Sequence, residues 1–141
     1  MNKLLAKEYI QGFLKEDVGT GDLSTDIIFG NEIRGEGYFL AKDNGIVCGT
    51  EIIDMTYSLL SDDYKINLLK KDGDKVEKGE KIAEVQGKVS TLLTGERVIL
   101  NLMQLMSGIA TMGNKLVTAL DDPTIKIVDT RKTYPGLRSE E

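Results

Sequence analysis

The chain has no histidine among its 141 residues and a single cysteine, Cys48. Without histidine, these residues cannot by themselves supply an imidazole acid or base, a Ser-His-Asp triad or a histidine metal site. A lone cysteine excludes an internal disulfide and is typical of a protein from a reducing cytosol. We therefore expect a cytoplasmic protein whose chemistry depends on other side chains.

Long apolar runs and a surplus of positive charge are also missing. No stretch is long and apolar enough to cross a bilayer. The formal net charge of −5 argues against a general surface for nucleic acids or anionic membranes, so neither is an expected partner. Because 40% of the residues are hydrophobic, the chain can still bury a core of one ordinary domain, or of a small domain plus part of another.

The N-terminal pattern predicts a helix and then a loop. Apolar residues recur at helical spacing over residues 2–16, which indicates an amphipathic helix packed on a core. Residues 16–26 are rich in glycine and aspartate. Gly19 and Gly21 begin like a dinucleotide-binding motif, but the third glycine and the preceding strand are missing. The segment is therefore interpreted as a structural turn.

Short strands separated by turns are predicted from about residue 34 to residue 89. Residues 37–41 and 45–49 read as a hairpin, and residues 52–60 as a helix. Turn glycines then flank a short strand within residues 72–85. That last pattern is similar to lipoyl and biotin carrier domains, although no lysine hairpin of the carrier type is present. A lipoyl-type binding module remains an alternative.

A long helix is predicted over residues 95–120, with Thr94 as its N-cap and Asp122-Pro123 beyond its end. Its apolar residues cover more than one stripe, so we expect burial on several sides or against a partner subunit. Gly108 inside this helix predicts the close approach of another backbone.

Arg97 and Asn101 are unusual on this helix because they lie four residues apart on an otherwise apolar face. A surface salt bridge from Arg97 to Glu96 or Glu80 is the ordinary explanation. A buried arginine would instead need an anionic partner, and a substrate could supply it.

The most informative segment is the apolar run at residues 125–128 followed by residues 129–138. A buried strand there would deliver Arg131 and Lys132 to its C-terminal end, where ligands bind in α/β barrels and doubly wound sheets. Two adjacent cations indicate an anionic substrate. A strand followed by a solvated basic turn is an equally weighted alternative.

Five segments together resemble the quinolinate phosphoribosyltransferases, also called carboxylating nicotinate-nucleotide pyrophosphorylases. In chain order they are residues 16–25 (EDVGTGDLST), 72–79 (DGDKVEKG), 96–102 (ERVILNL), 107–111 (SGIAT) and 129–138 (DTRKTYPGLR). The similarity runs in order over essentially the whole chain.

The resemblance implies an α+β fold. An N-terminal α/β sandwich of the hammerhead-like, barrel-sandwich hybrid type is expected over residues 1–122, including the long helix. Residues 123–141 would form the first strand of a truncated α/β barrel. The family forms dimers in which the N-terminal domain of one subunit lies against the barrel of the other.

The resemblance also implies a cytosolic enzyme of NAD synthesis. The family joins quinolinate to phosphoribosyl pyrophosphate, assisted by Mg²⁺, and releases nicotinate mononucleotide, pyrophosphate and CO2. By the same resemblance, Arg131, Lys132 and Thr130 line the substrate site, and Arg97 reaches the site of the partner in a homodimer. Two arginines suit the two adjacent carboxylates of quinolinate, and Lys132 suits a phosphate oxygen.

The family pattern continues with a glycine-rich segment, a His-Arg pair and late phosphate-binding loops that these 141 residues do not contain. Tyr134 also stands where the family usually has threonine. We therefore expect an N-terminal portion of the enzyme, inactive alone, in which no catalytic residue or Mg²⁺ ligand is assigned. A related phosphoribosyltransferase-like protein associated with molybdenum, acting on another acid, is a further alternative.

Overall fold

The structure, a computed structural model, describes residues 3–19, 33–130 and Lys132. Within these ranges it contains three helices and five strands. In chain order they are helix α1 (Lys3–Val18), strand β1 (Arg34–Leu40), strand β2 (Gly45–Ile46), helix α2 (Glu51–Leu60), strand β3 (Tyr64–Leu68), strand β4 (Lys75–Val76), strand β5 (Lys81–Lys88) and helix α3 (Val89–Leu120). This mixture of helices and antiparallel sheet confirms the α+β prediction.

The strands form two small antiparallel sheets. One has the order β1-β5-β3, and the other pairs β2 with β4. The central strand β5 places Val85 opposite both Gly37 of β1 and Ile66 of β3. Since side chains alternate between the two faces of a strand, Ala83, Val85 and Gly87 turn towards the helices and are buried.

The core lies between this sheet, α2 and the first half of α3. Its fully buried side chains include Ile53, Tyr57 and Ile99. The Tyr57 hydroxyl donates a hydrogen bond to the carbonyl oxygen of Leu92 at 3.2 Å, and burial raises the pKa of this phenol. A Cβ on Gly95 would lie 2.8 Å from Cε1 of Tyr57, so the helix can reach the ring only because residue 95 is glycine.

The predicted helices are confirmed, with different ends. Helix α1 continues to Val18. Gly19 follows it with a φ of 55°, a backbone conformation that favours glycine. Helix α3 begins at Val89, six residues before the predicted start, so Thr94 lies inside the helix and is not its N-cap. Helical spacing locates a helix body well, but the apolar residues of β5 and early α3 follow one another without an intervening break.

The predicted hairpin between residues 37–41 and 45–49 is wrong. Strand β1 pairs with β5, and the two residues of β2 pair with β4. The side-chain oxygen of Asn44 accepts a hydrogen bond from the Lys78 amide at 2.8 Å, so the turn is held to the segment before β5. Strand β3 was not predicted, although apolar and polar residues alternate along Tyr64–Leu68.

The strand expected at residues 125–128 is also absent from the described part of the chain. Residues 124–130 form neither helix nor strand, and Val128 is 76% exposed. A parallel barrel strand takes its backbone hydrogen bonds from neighbouring strands, and no such neighbour is among the described residues.

The second half of α3 differs from the first. Ile109, Met112, Leu116 and Val117 are 52–63% exposed, so burial within this chain holds only for the first half, and packing of the second half against a partner subunit stays a prediction. A Cβ on Gly108 would meet nothing within 4 Å, so the expected close backbone approach is not found within the described residues. None of the described helices is long and apolar enough to span a membrane.

Candidate substrate-binding site

The third turn of α3 carries Arg97 at the surface, where its side chain is 70% exposed. The guanidinium Nη1 donates to Oδ1 of Asp17, in the last turn of α1, at 2.6 Å. Glu80, one of the two acceptors predicted for a surface salt bridge, pairs with Lys70 at 3.2 Å. Arg97 is therefore an exposed cation tied to a partner that lies 80 residues earlier in the chain.

Asn101 lies one turn after Arg97, as its spacing predicts. Beside this face of α3 is a small depression of about 260 Å³. Its lining consists of Phe13, Glu16, Asp17, Val98, Asn101 and Leu102. The depression combines apolar walls with two carboxylates, and Arg97 is not part of its lining.

Thr130 and Lys132 lie far along the chain from Arg97, beyond the end of α3. Both are exposed, and the Lys132 amide donates to Oγ1 of Thr130 at 3.2 Å, which turns the backbone locally. Arg131, and the part of the residue 16–26 loop from Thr20 on, lie outside the described residues. Of the four predicted site residues, the structure thus places Arg97, Thr130 and Lys132 at the surface, and Arg131 lies outside the described residues.

The distance between the two groups follows from helix geometry. At 1.5 Å per residue, Arg97 lies about 35 Å along the axis of α3 from Leu120. Residues 121–130, which follow α3, are all exposed. Within one chain, most of the length of α3 therefore separates Arg97 from Leu120.

Sequence reasoning missed the role of Asp72. Its carboxylate accepts hydrogen bonds from the amides of Gly49 and Thr50, at 3.0 and 2.8 Å, and from Oγ1 of Thr50 at 2.7 Å. It thereby caps the N-terminus of α2 from a distant turn. Burial alone would raise the pKa of Asp72, but the hydrogen bonds from Thr50 and Gly49 outweigh it and lower the pKa.

We predict that Asp72→Ala lowers the free energy of unfolding by about 1–2 kcal/mol at pH 7, as expected for a lost cap with charge-assisted hydrogen bonds at a partly exposed site. Since the pKa of Asp72 is lower in the folded state, its contribution is fully present above about pH 4 and is lost as the pH falls through the folded-state value. Urea denaturation of the parent and of Asp72→Ala at pH 7 and pH 3 measures this loss of unfolding free energy, which should be smaller at pH 3. A loss for Asp72→Ala that equals that for the exposed control Asp62→Asn would contradict the prediction.

The motif at residues 107–111 also has a structural role. Oγ of Ser107 accepts a hydrogen bond from the Cys48 amide at 3.0 Å and donates one to the Cys48 carbonyl at 3.2 Å. Oγ1 of Thr111 accepts from the Ile46 amide at 2.9 Å. These two hydroxyls, one turn apart, tie the backbone around β2 to α3.

A second groove, of about 970 Å³, lies elsewhere, between β1, β2 and α3. Most of its lining is apolar, and it includes none of Arg97, Thr130 and Lys132. No group of three or more acidic or cysteine side chains that could hold a metal occurs in the described ranges.

Two family models match the chain one after the other. The model described as the quinolinate phosphoribosyl transferase N-terminal domain matches residues 22–107. The chain belongs to the quinolinate phosphoribosyltransferase family. The model for the C-terminal domain of the same family matches residues 109–141. Both matches favour this family over the lipoyl-type carrier hypothesis.

Relatives and solved structures agree with this family. The chain is 51% identical over 141 residues to a Bacillus subtilis (strain 168) protein named "Probable nicotinate-nucleotide pyrophosphorylase (carboxylating)", covering all of this chain and 48% of that protein. It superposes on NadC from Streptococcus pyogenes with a TM-score of 0.92 at 35% identity, covering 96% of this chain and 48% of that one. For the nicotinate-nucleotide pyrophosphorylase from Francisella tularensis, the TM-score is 0.90 at 32% identity, with the same coverage.

The chain spans about half the length of the curated relatives it matches. In this quinolinate phosphoribosyltransferase family member, Arg97 falls under the N-terminal model, and residues 130–132 fall under the C-terminal model. The two family models meet inside α3. The exposed apolar residues of this helix from Ile109 onwards lie in the range matched by the C-terminal model. The division into residues 1–122 and 123–141 stays a prediction.

Proposed function

We propose that these residues serve a quinolinate phosphoribosyltransferase, which converts quinolinate and phosphoribosyl pyrophosphate into nicotinate mononucleotide, pyrophosphate and CO2. The observation that carries the proposal is the match of both family models, in order, across residues 22–141. The 51% identity to the Bacillus subtilis relative over all 141 residues supports it. The proposal includes a cytoplasmic location, which the single free cysteine favours.

The proposed substrate chemistry depends on two arginines. Quinolinate carries two adjacent carboxylates, and a guanidinium can hold each with two parallel hydrogen bonds. Arg97 and Arg131 form this clamp, while Lys132, a compact charge, binds a phosphate oxygen, and the hydroxyl of Thr130 contributes beside it. The residues act mainly by holding the dianion against the ribose while pyrophosphate leaves.

Mg²⁺ belongs to the proposal as a companion of pyrophosphate, whose charge it neutralises. The described residues do not form a metal site of their own. We therefore assign no Mg²⁺ ligand among them.

The geometry of α3 supports a homodimer with a shared site. Arg97 and Leu120, the last residue of this helix, lie about 35 Å apart along its axis. Arg97 and the residues after Leu120 can contact one small substrate if Arg97 comes from the partner subunit. In a two-fold symmetric dimer the same arrangement then occurs twice.

A chimera tests the function. The 141 residues are joined to the remaining half of the Bacillus subtilis relative, and the full-length relative serves as the positive control. With phosphoribosyl pyrophosphate and Mg²⁺, the chimera should form nicotinate mononucleotide from quinolinate and not from nicotinate. No product from quinolinate, with the relative active in the same assay, would contradict the proposal, and would favour an enzyme that acts on a different acid.

A further inference from the structure

Two hydroxyls on α3, those of Ser107 and Thr111, hold this helix to the backbone beside β2. Oγ of Ser107 bonds both the amide and the carbonyl of Cys48, and Oγ1 of Thr111 accepts from the Ile46 amide. In the described ranges, these are the last hydrogen bonds along α3 that join it to another part of the chain. We call Ser107 and Thr111, together with the backbone of residues 46–48, the clasp.

The backbone side of the clasp is fixed firmly to the first part of the fold. Val47 is 1% exposed and belongs to a small apolar cluster. Its amide donates to the Asp74 carbonyl at 3.0 Å, and its carbonyl accepts from the Gly73 amide at 2.9 Å. A Cβ on Gly45 would lie 2.7 Å from Oγ1 of Thr111, so this hydroxyl reaches the backbone because residue 45 is glycine. The helix is therefore held against a rigid surface.

The clasp holds α3 at the point where the helix bends most easily. Gly108 lies between the two clasp residues of the helix, and glycine is less favourable than alanine inside a helix. A neighbouring serine and glycine are also a common place for a long helix to bend. Beyond this point, Ile109 and Met112 are 63% and 57% exposed, so little packing within the described residues keeps the second half in place. The two hydroxyls supply that restraint.

We propose that the clasp fixes the direction of the second half of α3 and thereby positions the site residues that follow this helix. This inference rests on the proposed function. Ser107 is the last residue matched by the N-terminal family model, and Thr111 lies in the range matched by the C-terminal model, so the clasp joins the two matched regions. Both are positioning residues, and neither contacts substrate.

A small change of angle at the clasp becomes larger at the end of the helix. Leu120 lies about 14 Å beyond Thr111, so a tilt of about 10° at the clasp moves Leu120 by about 2 Å. The hydrogen bonds found for described residues after Leu120 are local, so Thr130 and Lys132 follow the end of α3. A misplacement of about 1 Å can lower a rate about 100-fold. The clasp can therefore affect activity without touching substrate.

The test measures steady-state kinetics in the active chimera. Ser107→Ala/Thr111→Val removes both hydroxyls and should lower kcat/KM for quinolinate about 10- to 100-fold. The KM values for quinolinate and phosphoribosyl pyrophosphate should both rise, because residues 130–132 contact both in the proposed function. Thr111→Ser keeps the hydroxyl and should behave as the parent. Gly45→Ala displaces the Thr111 hydroxyl without changing α3, and should raise the same two KM values.

Tyr57→Phe is the matched control for lost stability. It also removes a hydroxyl that ties α3 to another element, but the hydrogen bond concerned joins the Leu92 carbonyl at the start of the helix. It should lower the Tm, as the double variant does, and leave both KM values unchanged. Hydrogen exchange gives a measurement that needs no activity. The Ile46 and Cys48 amides should exchange slowly in the parent and at least about tenfold faster in the double variant.

KM values that stay at the parent level in the double variant, or that rise equally in Tyr57→Phe, would overturn the positioning role. Fast exchange of the Ile46 and Cys48 amides in the parent would overturn it as well. If the double variant does not fold, unchanged KM values in Gly45→Ala have the same meaning. A parent chimera that makes no product contradicts the proposed function instead, and hydrogen exchange then still shows whether the clasp forms.

Discussion

Homodimers that carry Arg97→Ala or Arg131→Ala should lose nearly all activity with quinolinate, whereas mixed dimers of the two should recover much of it. Each charge-assisted hydrogen bond contributes ~1.5–3 kcal/mol, so a lost bond lowers the rate roughly 10- to 150-fold. If Arg97 acts across the interface, one site of a mixed dimer carries both defects, and the other carries neither. About half of the dimers are mixed, so activity should approach about a quarter of wild type.

The two variants of the chimera are mixed under conditions that allow subunit exchange, and differently tagged subunits show that mixed dimers form. Arg34→Ala serves as the control, since this arginine pairs with Asp63 away from the site and should leave activity unchanged. If mixed dimers form and activity stays at the average of the two mutants, Arg97 acts within its own subunit, and the shared site is wrong.

A polypeptide of these 141 residues alone should form no nicotinate mononucleotide above a no-protein control. In the described residues, the segment 124–130 has no neighbouring strand, and Arg97 lies about 35 Å along α3 from its last residue, Leu120. The Bacillus subtilis relative is about twice as long, and its second half is present in the chimera but not in this polypeptide. Product formation with quinolinate, phosphoribosyl pyrophosphate and Mg²⁺ above that control would contradict this prediction.

Local periodicity explains which elements could be predicted. The bodies of α1, α2 and α3 follow from the spacing of apolar residues, because a helix has its own backbone hydrogen bonds. Strands depend on partners elsewhere in the chain. Asp43-Asn44-Gly45 is typical of a hairpin, but β5 offers a longer partner to β1, and the hairpin does not form. The strand expected at residues 125–128 lacks any partner within the described chain.

Residue type and the family resemblance indicate the four site residues, but the sequence predicts their contacts only as far as spacing does. Spacing places Arg97 and Asn101 on one face of α3, as the structure does. It cannot predict that Arg97 pairs with Asp17, which lies 80 residues away, or that Asp72 caps α2 from another turn. Such contacts follow from how the helices and sheets pack, because the two residues of each contact lie far apart in the chain and share no local pattern.

We propose that Arg97 of one subunit and Arg131 of the other hold the two carboxylates of one quinolinate molecule, and the whole account of the shared site depends on this claim. A crystal structure of the chimera with bound quinolinate tests it most directly. We expect the partner's Arg97 guanidinium at about 2.7–3.2 Å from one quinolinate carboxylate, with Arg131 on the other. Quinolinate bound next to Arg131, with both copies of Arg97 beyond hydrogen-bonding distance, would contradict the claim.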